Sequence, residues 1–261
     1  MPTTFFGWVG YLLREYGSLF LRGTGMTMLI AITGTLLGFA LGLLVGIART
    51  IELGPRAPKW KRGLVRALNA LLGIYIEVFR GTPMIVQAMV IYYGIPYVGG
   101  PQLGQMEAAI LIVSINTGAY MAEIVRGGII SIDRGQTEAA HSIGMTHWQT
   151  MVTVVLPQAV RNIMPSIGNE FVVNIKDSSV LNVISVTELF FQGKAAAGTY
   201  YRYFETYFII AMIYLVLTFT VTRVLRLIEK KMDGPDNYVI CGSQSDSRAA
   251  IRVVEDAKEE G

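Results

Sequence analysis

Apolar runs divide the chain into five segments that are long enough to cross a membrane, for which about 20 mostly apolar residues suffice. They cover residues 25–48, 68–93, 107–125, 164–187 and 206–222. This pattern predicts an all-α membrane protein with about five transmembrane helices. In the second segment, Pro83 lacks a backbone N–H and disfavours helix at Thr82, so we expect the helix to kink or break there.

The positions of Lys and Arg predict the orientation of the spans. Six basic residues lie between the first and second spans, none lies between the second and third, and four follow the fifth: Arg223, Arg226, Lys230 and Lys231. Loops rich in Lys and Arg stay on the cytoplasmic side of a membrane. We therefore expect the N-terminus outside and the C-terminus inside, and an odd number of spans agrees with this.

The composition supports a membrane protein. The chain of 261 residues is 52% hydrophobic and only 16% charged, whereas soluble domains average about 25% charged residues. This argues against a soluble enzyme. A net charge of +3 is too small to indicate a nucleic-acid partner. One cysteine, Cys241, excludes an intrachain disulfide, and two histidines without a Cys/His cluster predict no metal site.

Both ends of the chain differ from its apolar body. Residues 1–22 are rich in aromatic residues and leucine from Phe5 to Phe20, and we predict an interfacial helix on the outer face, with a disordered lead-in as the alternative. Residues 23–231 form the predicted transmembrane domain. Residues 232–261 are predicted to be a disordered cytoplasmic tail, in which residues 251–260 could alternatively form an amphipathic helix.

Four glycines recur at every fourth position of the first span. Because residues four apart share one face of a helix, they form a smooth stripe along which a second helix can approach closely in lipid. The stripe predicts packing and carries no information about a substrate. Its members are Gly34, Gly38, Gly42 and Gly46.

Polar residues inside the third and fourth spans are candidates for a transport pathway, because such residues usually face the bundle interior or a cavity. Three share a face of the third span by i, i+4, i+7 spacing, and most of the others lie within about 100° on the fourth. The alternatives are interhelical hydrogen bonds in the third span and an ion-pair network that fixes helix register in the fourth. The candidates are Asn116, Tyr120, Glu123, Glu170, Asn174, Lys176, Asp177 and Ser178.

The loop 127–163 has the features of a docking element. Residues 136–143 predict a short helix, Gly144 can turn the chain, and Thr146 can cap a second helix. A helix with two small alanines and one acid presents a low face that can enter a partner's groove. The residues that define the loop are Glu138, Ala139, Ala140, Gly144 and Pro157.

The loop resembles the EAA signature of ABC-importer permeases. The matching pattern is Glu138-Ala-Ala, three residues, Gly144, nine residues and Val154-Val-Leu-Pro157. Five further blocks narrow the resemblance to the permeases that take up amino acids. They are Glu77-Val-Phe-Arg-Gly-Thr-Pro83, Asn116 to Gly128, Gly168-Asn-Glu-Phe171, Lys176-Asp-Ser-Ser179 and Tyr203-Phe-Glu205. Over roughly residues 22–231 the chain is similar to the polar-amino-acid permeases, the histidine/glutamine/arginine type.

The resemblance implies a type I importer fold in the bacterial cytoplasmic membrane. A second permease, identical or paralogous, would complete the pathway, and an extracytoplasmic solute-binding protein would deliver the amino acid. A separate ATPase would dock on the EAA helix and bind ATP and Mg²⁺. The chain itself has no P-loop, because Gly193-Lys194 is followed by Ala195 rather than Ser or Thr, so we expect no catalytic residue and no cofactor in it.

Two other classes of function compete with this interpretation. An ion-coupled secondary transporter or a channel for small polar solutes would also use polar residues in spans three and four, but such transporters usually show more spans or an internal repeat. An intramembrane enzyme would need a catalytic pair, for which Lys176 with Ser178 or Ser179 is the nearest candidate. Neither class would explain the EAA loop.

Overall fold

A computed structural model describes residues 2–51, 58–232, 238–241 and 250–253, and the side chains within 2–51 and 58–229. A π-helical turn, Met151–Val155, precedes α7, and a 3₁₀ helix, Ser178–Ile184, follows it. The helices are α1 (Phe5–Arg49), α2 (Lys59–Gly81), α3 (Met84–Tyr97), α4 (Gln105–Ile130), α5 (Arg134–Ser142), α6 (His147–Thr150), α7 (Leu156–Asp177), α8 (Leu189–Tyr200) and α9 (Tyr203–Met232).

Three of the described helices, α1, α4 and α9, are long and apolar enough to cross a membrane by themselves. The pair α2 and α3 supplies a fourth span if the two count as one broken segment. The fourth predicted span, 164–187, corresponds to α7, which has 22 residues but carries Arg161, Glu170, Lys176 and Asp177. Helix α7 packs against α1, α4 and α9, but it is not one of the described helices that are apolar enough to cross a membrane by themselves.

The glycine stripe of α1 packs directly on α4, as the sequence predicts. All four glycines are buried, and each faces a residue of the ladder Val113, Thr117, Met121 and Val125. A Cβ placed on Gly38 would lie 2.6 Å from the Cβ of Thr117, and one on Gly46 would lie 2.7 Å from a methyl carbon of Val125. The two helices are therefore closer than any side chain on the stripe would allow.

The predicted break in the second span is confirmed. Thr82 is extended (φ −122°, ψ 145°), and Pro83 follows it as the residue before α3. The helix direction bends by 115° between α2 and α3. The helical segments extend beyond the predicted limits at both ends, since α2 begins at Lys59 and α3 runs through Pro96 to Tyr97.

The N-terminal segment does not end at residue 22. Helix α1 begins at Phe5, where the Thr4 hydroxyl accepts a hydrogen bond from the backbone N–H of Gly7, and it continues without a break through the first span. Its Leu12 and Phe20 are buried in a cluster with apolar residues of α8 and α9. Intramolecular packing therefore joins this segment to the bundle as part of α1.

The fourth span also differs from the predicted range 164–187. Helix α7 starts at Leu156, directly after the π-helical turn, and Pro157 lies in its first turn. It ends at Asp177, where the chain tightens into the 3₁₀ helix and then reverses at Ser185 (φ 62°). The last ten residues of the predicted span therefore lie outside α7.

The tail contains the only strands among the described residues. Strands β1 (Tyr238–Cys241) and β2 (Ala250–Val253) pair antiparallel, with Tyr238 opposite Val253. The structure has strands at these residues, where the sequence predicts a disordered tail or, from residue 251, an amphipathic helix. The other residues from 233 onward lie outside the described part of the chain.

Candidate transport pathway and docking loop

Asn116 lies in a buried hydrogen-bond network at the break between α2 and α3. Its side-chain amide donates to Gln87 Oε1 (2.9 Å) and to the Phe79 carbonyl (3.3 Å). Gln87 in turn donates to the Phe79 and Thr82 carbonyls, both at 2.8 Å. Breaking a helix leaves carbonyls without intrahelical partners, and these two amides satisfy them, which fits the packing alternative for Asn116.

Glu123 forms ion pairs with two arginines near the inner end of α4. It pairs with Arg49 at the end of α1 and with Arg126 one turn along α4, at 2.9 Å for the latter. All three side chains are between about a fifth and two fifths exposed. The carboxylate therefore joins the inner ends of α1 and α4.

Asn174 and Ser178 are also enclosed by the bundle. The Asn174 side chain donates to the Thr35 hydroxyl (2.8 Å) and accepts from the Thr117 hydroxyl (3.1 Å). It thus bridges α7 to both α1 and α4, beside the glycine stripe. Ser178 is fully buried and donates to the carbonyl of Ile175. Both residues fit a role in packing.

Tyr120, Glu170 and Asp177 lie on a partly exposed surface together with Arg80. The Arg80 guanidinium stands over the Tyr120 ring, 5.4 Å from its centroid. Glu170 lies within electrostatic reach of both Arg80 and Asp177. Glu170 and Asp177 are partly exposed, and neither takes part in an ion pair within 4.0 Å among the described residues. Two carboxylates and one guanidinium are therefore available to a charged solute.

Lys176 points away from this surface, as expected for a neighbour of Asp177 on a helix. It lines a groove of about 480 Å³ between α7, α8 and α9, together with Ser179, Phe190, Tyr207, Tyr214 and Thr218. Lys176 is the only charged side chain of this groove. An ammonium group surrounded by hydroxyl groups and aromatic rings can hold a small carboxylate.

The docking loop has the predicted local structure. The Asp133 side chain caps α5, Gly144 turns the chain at φ 86°, and Thr146 caps α6. Glu138 and Ala139 are exposed, whereas Ala140 is buried against the protein. Ile143 and Trp148 are 79% and 67% exposed, so the loop presents two large apolar side chains beside the acid.

The docking loop packs against the helix bundle through a buried apolar cluster. Val125 and Ile129 of α4 form a buried cluster with Met151 and Val155 of the π-helical turn and with Ala159 of α7. Pro157 lies immediately after this turn, in the first turn of α7. A displacement of the loop therefore acts directly on α4 and α7.

Sequence reasoning missed two buried polar residues, Gln87 and Glu188. Glu188 caps α8 and is fully buried, where it accepts hydrogen bonds from two backbone N–H groups of α8, from Thr27 of α1 and from Tyr214 of α9. Burial raises the pKa of this carboxyl, which lies outside the spanning helices. Its position before an apolar run could have indicated a helix cap, but nothing in the sequence indicates the partners on α1 and α9.

The sequence comparisons agree with this geometry. A profile described as "Binding-protein-dependent transport system inner membrane component" matches residues 57–234. The chain belongs to this family. The family's description places it in an inner membrane as a component of a transport system.

Among the described residues, no group of three or more His, Cys, Asp or Glu could hold a metal ion.

Relatives in the family are permeases for amino acids by their names. The chain is 36% identical over 215 residues to the glutamine transport system permease protein GlnP of Escherichia coli K12, covering 82% of this chain and 93% of that protein. It is 33% identical over 216 residues to the arginine transport system permease protein ArtQ of Bacillus subtilis, covering 83% and 93%.

Solved structures show the same fold. The chain resembles a crystal structure of an amino acid ABC transporter with histidines at a TM-score of 0.75 and 36% identity, covering 88% of this chain and all of that one. It also matches the inward-facing MetNI methionine ABC transporter at a TM-score of 0.68 and 19% identity, covering 83% and 97%. The latter likeness supports the fold alone. The architecture is that of a type I ABC importer transmembrane domain.

Proposed function

We propose that the chain is the permease subunit of an ATP-binding-cassette importer that moves a polar or charged amino acid across the bacterial cytoplasmic membrane. The docking loop carries the proposal, because Glu138 and Ala139 are exposed on a short helix whose supports reach α4 and α7. The glutamine and arginine permeases among the relatives support an amino acid as the substrate. An ion-coupled carrier or channel would have no use for such a loop.

The chain contributes alternating access and performs no bond-breaking chemistry in this proposal. A separate ATPase binds ATP and Mg²⁺, docks on the helix that carries Glu138, and closes to open the pathway outward. A second permease, identical or paralogous, forms the other half of the pathway within the lipid bilayer. An extracytoplasmic solute-binding protein delivers the amino acid, and nucleic acid has no part in the process.

We further propose that the pathway uses the accessible polar residues rather than all eight sequence candidates. Tyr120, Glu170 and Asp177 share a surface with Arg80, and Lys176 lines the adjoining groove. These groups offer both signs of charge to a zwitterion. Exposed charges at membrane depth are costly, which supports a water-filled path beside them.

The first experiment tests docking. Glu138→Lys is compared with Glu15→Lys, which makes the same charge change at an exposed position of the N-terminal half of α1. Tagged chains are purified in mild detergent, copurifying ATPase is identified by mass spectrometry, and uptake of labelled glutamine and arginine is measured in cells. We expect Glu138→Lys to lose the ATPase and uptake while remaining in the membrane. Normal uptake by this variant, or ATP-independent uptake by the unmodified chain, would overturn the proposal.

The second experiment tests the pathway. Asp177→Asn keeps the size of the side chain but removes one charge from the accessible surface. We expect altered uptake or altered preference among amino acids, with the complex still assembled, because Asp177 makes no ion pair among the described residues. Loss of assembly without a specific transport defect would instead favour an ion-pair network.

A further inference from the structure

The cytoplasmic end of α2 carries a basic face that the transport proposal leaves unused. Lys59, Arg62 and Arg66 recur at i, i+3 and i+7 and therefore share one face, and all three are exposed. The first acidic residue of this helix is Glu77, in its last two turns. Within the described residues, no carboxylate forms an ion pair with Lys59 or Arg66.

On the neighbouring helices α1 and α4, the basic residues near the inner end are in ion pairs. Arg49 at the end of α1 and Arg126 near the end of α4 both pair with Glu123. Their charge is therefore largely compensated within the chain. Exposed cations also lie at the inner end of α9, at Arg223 and Arg226, but the first two turns of α2 hold four of them: Lys59, Lys61, Arg62 and Arg66.

A second face of α2 is apolar and unpartnered. Its exposed side chains run the full length of the helix at helical spacing, with exposures between 50% and 67%: Trp60, Leu64, Leu71, Ile74 and Val78. A third face, which includes the buried Ile76, packs on α4. A helix with one apolar face along its length and basic residues only at its inner end matches a bilayer, whose hydrocarbon core ends at a charged headgroup layer.

Trp60 marks the level of that boundary. Its ring is 67% exposed, and the Lys61 ammonium lies 5.5 Å from the ring centroid. Trp residues concentrate at membrane–water interfaces, and juxtamembrane basic residues attract anionic lipids of the cytoplasmic leaflet. The distance from Lys59 to Arg66 along the axis is about 10 Å, which side chains of this length can cover by extending toward one headgroup layer.

We propose that the first two turns of α2 form a binding site for anionic phospholipid headgroups of the inner leaflet, with Lys59 and Arg66 contacting the phosphates and Trp60 lying at the headgroup boundary. The site is independent of the amino-acid pathway. It makes the occupancy of this face depend on the anionic lipid content of the membrane.

The test uses Trp60 as a reporter. The chain has three tryptophans, so Trp8→Phe with Trp148→Phe leaves Trp60 alone in the full-length protein. The protein is reconstituted into phosphatidylcholine vesicles that contain increasing fractions of brominated phosphatidylglycerol or brominated phosphatidylcholine. Bromine quenches tryptophan fluorescence on contact, so the two titrations give the relative affinity of the two lipids at Trp60.

We expect phosphatidylglycerol to bind at least about fivefold more tightly, which is the effect of roughly one basic residue at an anionic surface. Lys59→Gln with Arg66→Gln should bring the ratio close to one. The matched control, Arg223→Gln with Arg226→Gln, removes two exposed cations from the inner end of another helix and should leave the ratio unchanged. In the unmodified charge background, the ratio should fall as salt shortens the Debye length from about 10 Å at 0.1 M to about 3 Å at 1 M.

Three results would overturn the proposal. Equal quenching by the two brominated lipids would show that the basic face does not select headgroups. Quenching by neither lipid would show that protein, such as a second permease, covers Trp60. A preference that survives loss of Lys59 and Arg66, or that ignores salt, would assign it to other residues.

Discussion

Replacing Gly42 with alanine tests the close packing of α1 on α4. A Cβ at this position would lie 2.8 Å from the backbone nitrogen of Ala122 and would meet Met121 as well. Because the obstacle is backbone, no rotamer change can remove it. Contacts become ordinary at 3.4 Å, so α1 must move away by at least about 0.6 Å, a gap that forfeits a quarter to a half of each local dispersion contact.

The expected cost is about 2 kcal/mol, within the range for overpacking a dense interface. For a protein of this size, this lowers the midpoint of thermal unfolding by about 4 to 8 °C. The assay is the loss of the monodisperse gel-filtration peak of the tagged protein in mild detergent after heating. The measurement is repeated at several temperatures.

Gly25→Ala is the matched control on the same helix, since a Cβ there meets nothing within 4 Å. Alanine also favours helix over glycine, so this variant should melt at the same temperature or slightly higher. Equal midpoints for Gly42→Ala and Gly25→Ala would refute the argument that α1 and α4 are in contact through the glycine stripe.

Three other substitutions separate structural from transport roles. Asn174→Leu should lower stability by about 1 to 2 kcal/mol, because it leaves the hydroxyls of Thr35 and Thr117 without their partner and membrane hydrogen bonds are worth about 0.6 kcal/mol each. A shift in substrate preference at normal stability would contradict this. Glu123→Gln should cost about 1 to 3 kcal/mol by leaving two partly exposed arginines without a counter-charge. Thermal melting at an unchanged temperature would contradict the ion pairs. Glu188→Gln should destabilise the contact of α8 with α1 and α9, which faster proteolysis within α8 would report; unchanged proteolysis would argue that its four hydrogen bonds carry little weight.

The positions of helices and loops could be read from the sequence wherever a local rule applies. Pro83 requires a break, Gly144 permits a turn with positive φ, and the spacing of Gly34 and its repeats requires a close neighbour. Each of these features depends on residues adjacent in the chain or on one helix. The structure confirms each at the expected position.

The roles of polar residues could not be read in the same way, because they depend on partners from distant segments. Asn116 and Tyr120 lie four residues apart on one face of α4, yet the first contacts Gln87 and the second lies under Arg80. Helical spacing gives the face of a residue but not what packs against it. The end of α7 was misplaced for a related reason, since hydropathy continues past Asp177 although the backbone changes to a 3₁₀ helix.

Helix α7 joins the docking loop to the surface that carries Glu170 and Asp177. It begins beside the docking loop at Leu156 and ends at Asp177, a distance of about 33 Å at 1.5 Å per residue. Over this length, a tilt of 10° displaces the far end by about 6 Å, less any bend at Pro165, which lies inside the helix. In the proposed importer, a tilt of α7 that begins at the loop therefore displaces Asp177 more than Glu170, because Asp177 lies farther along the helix.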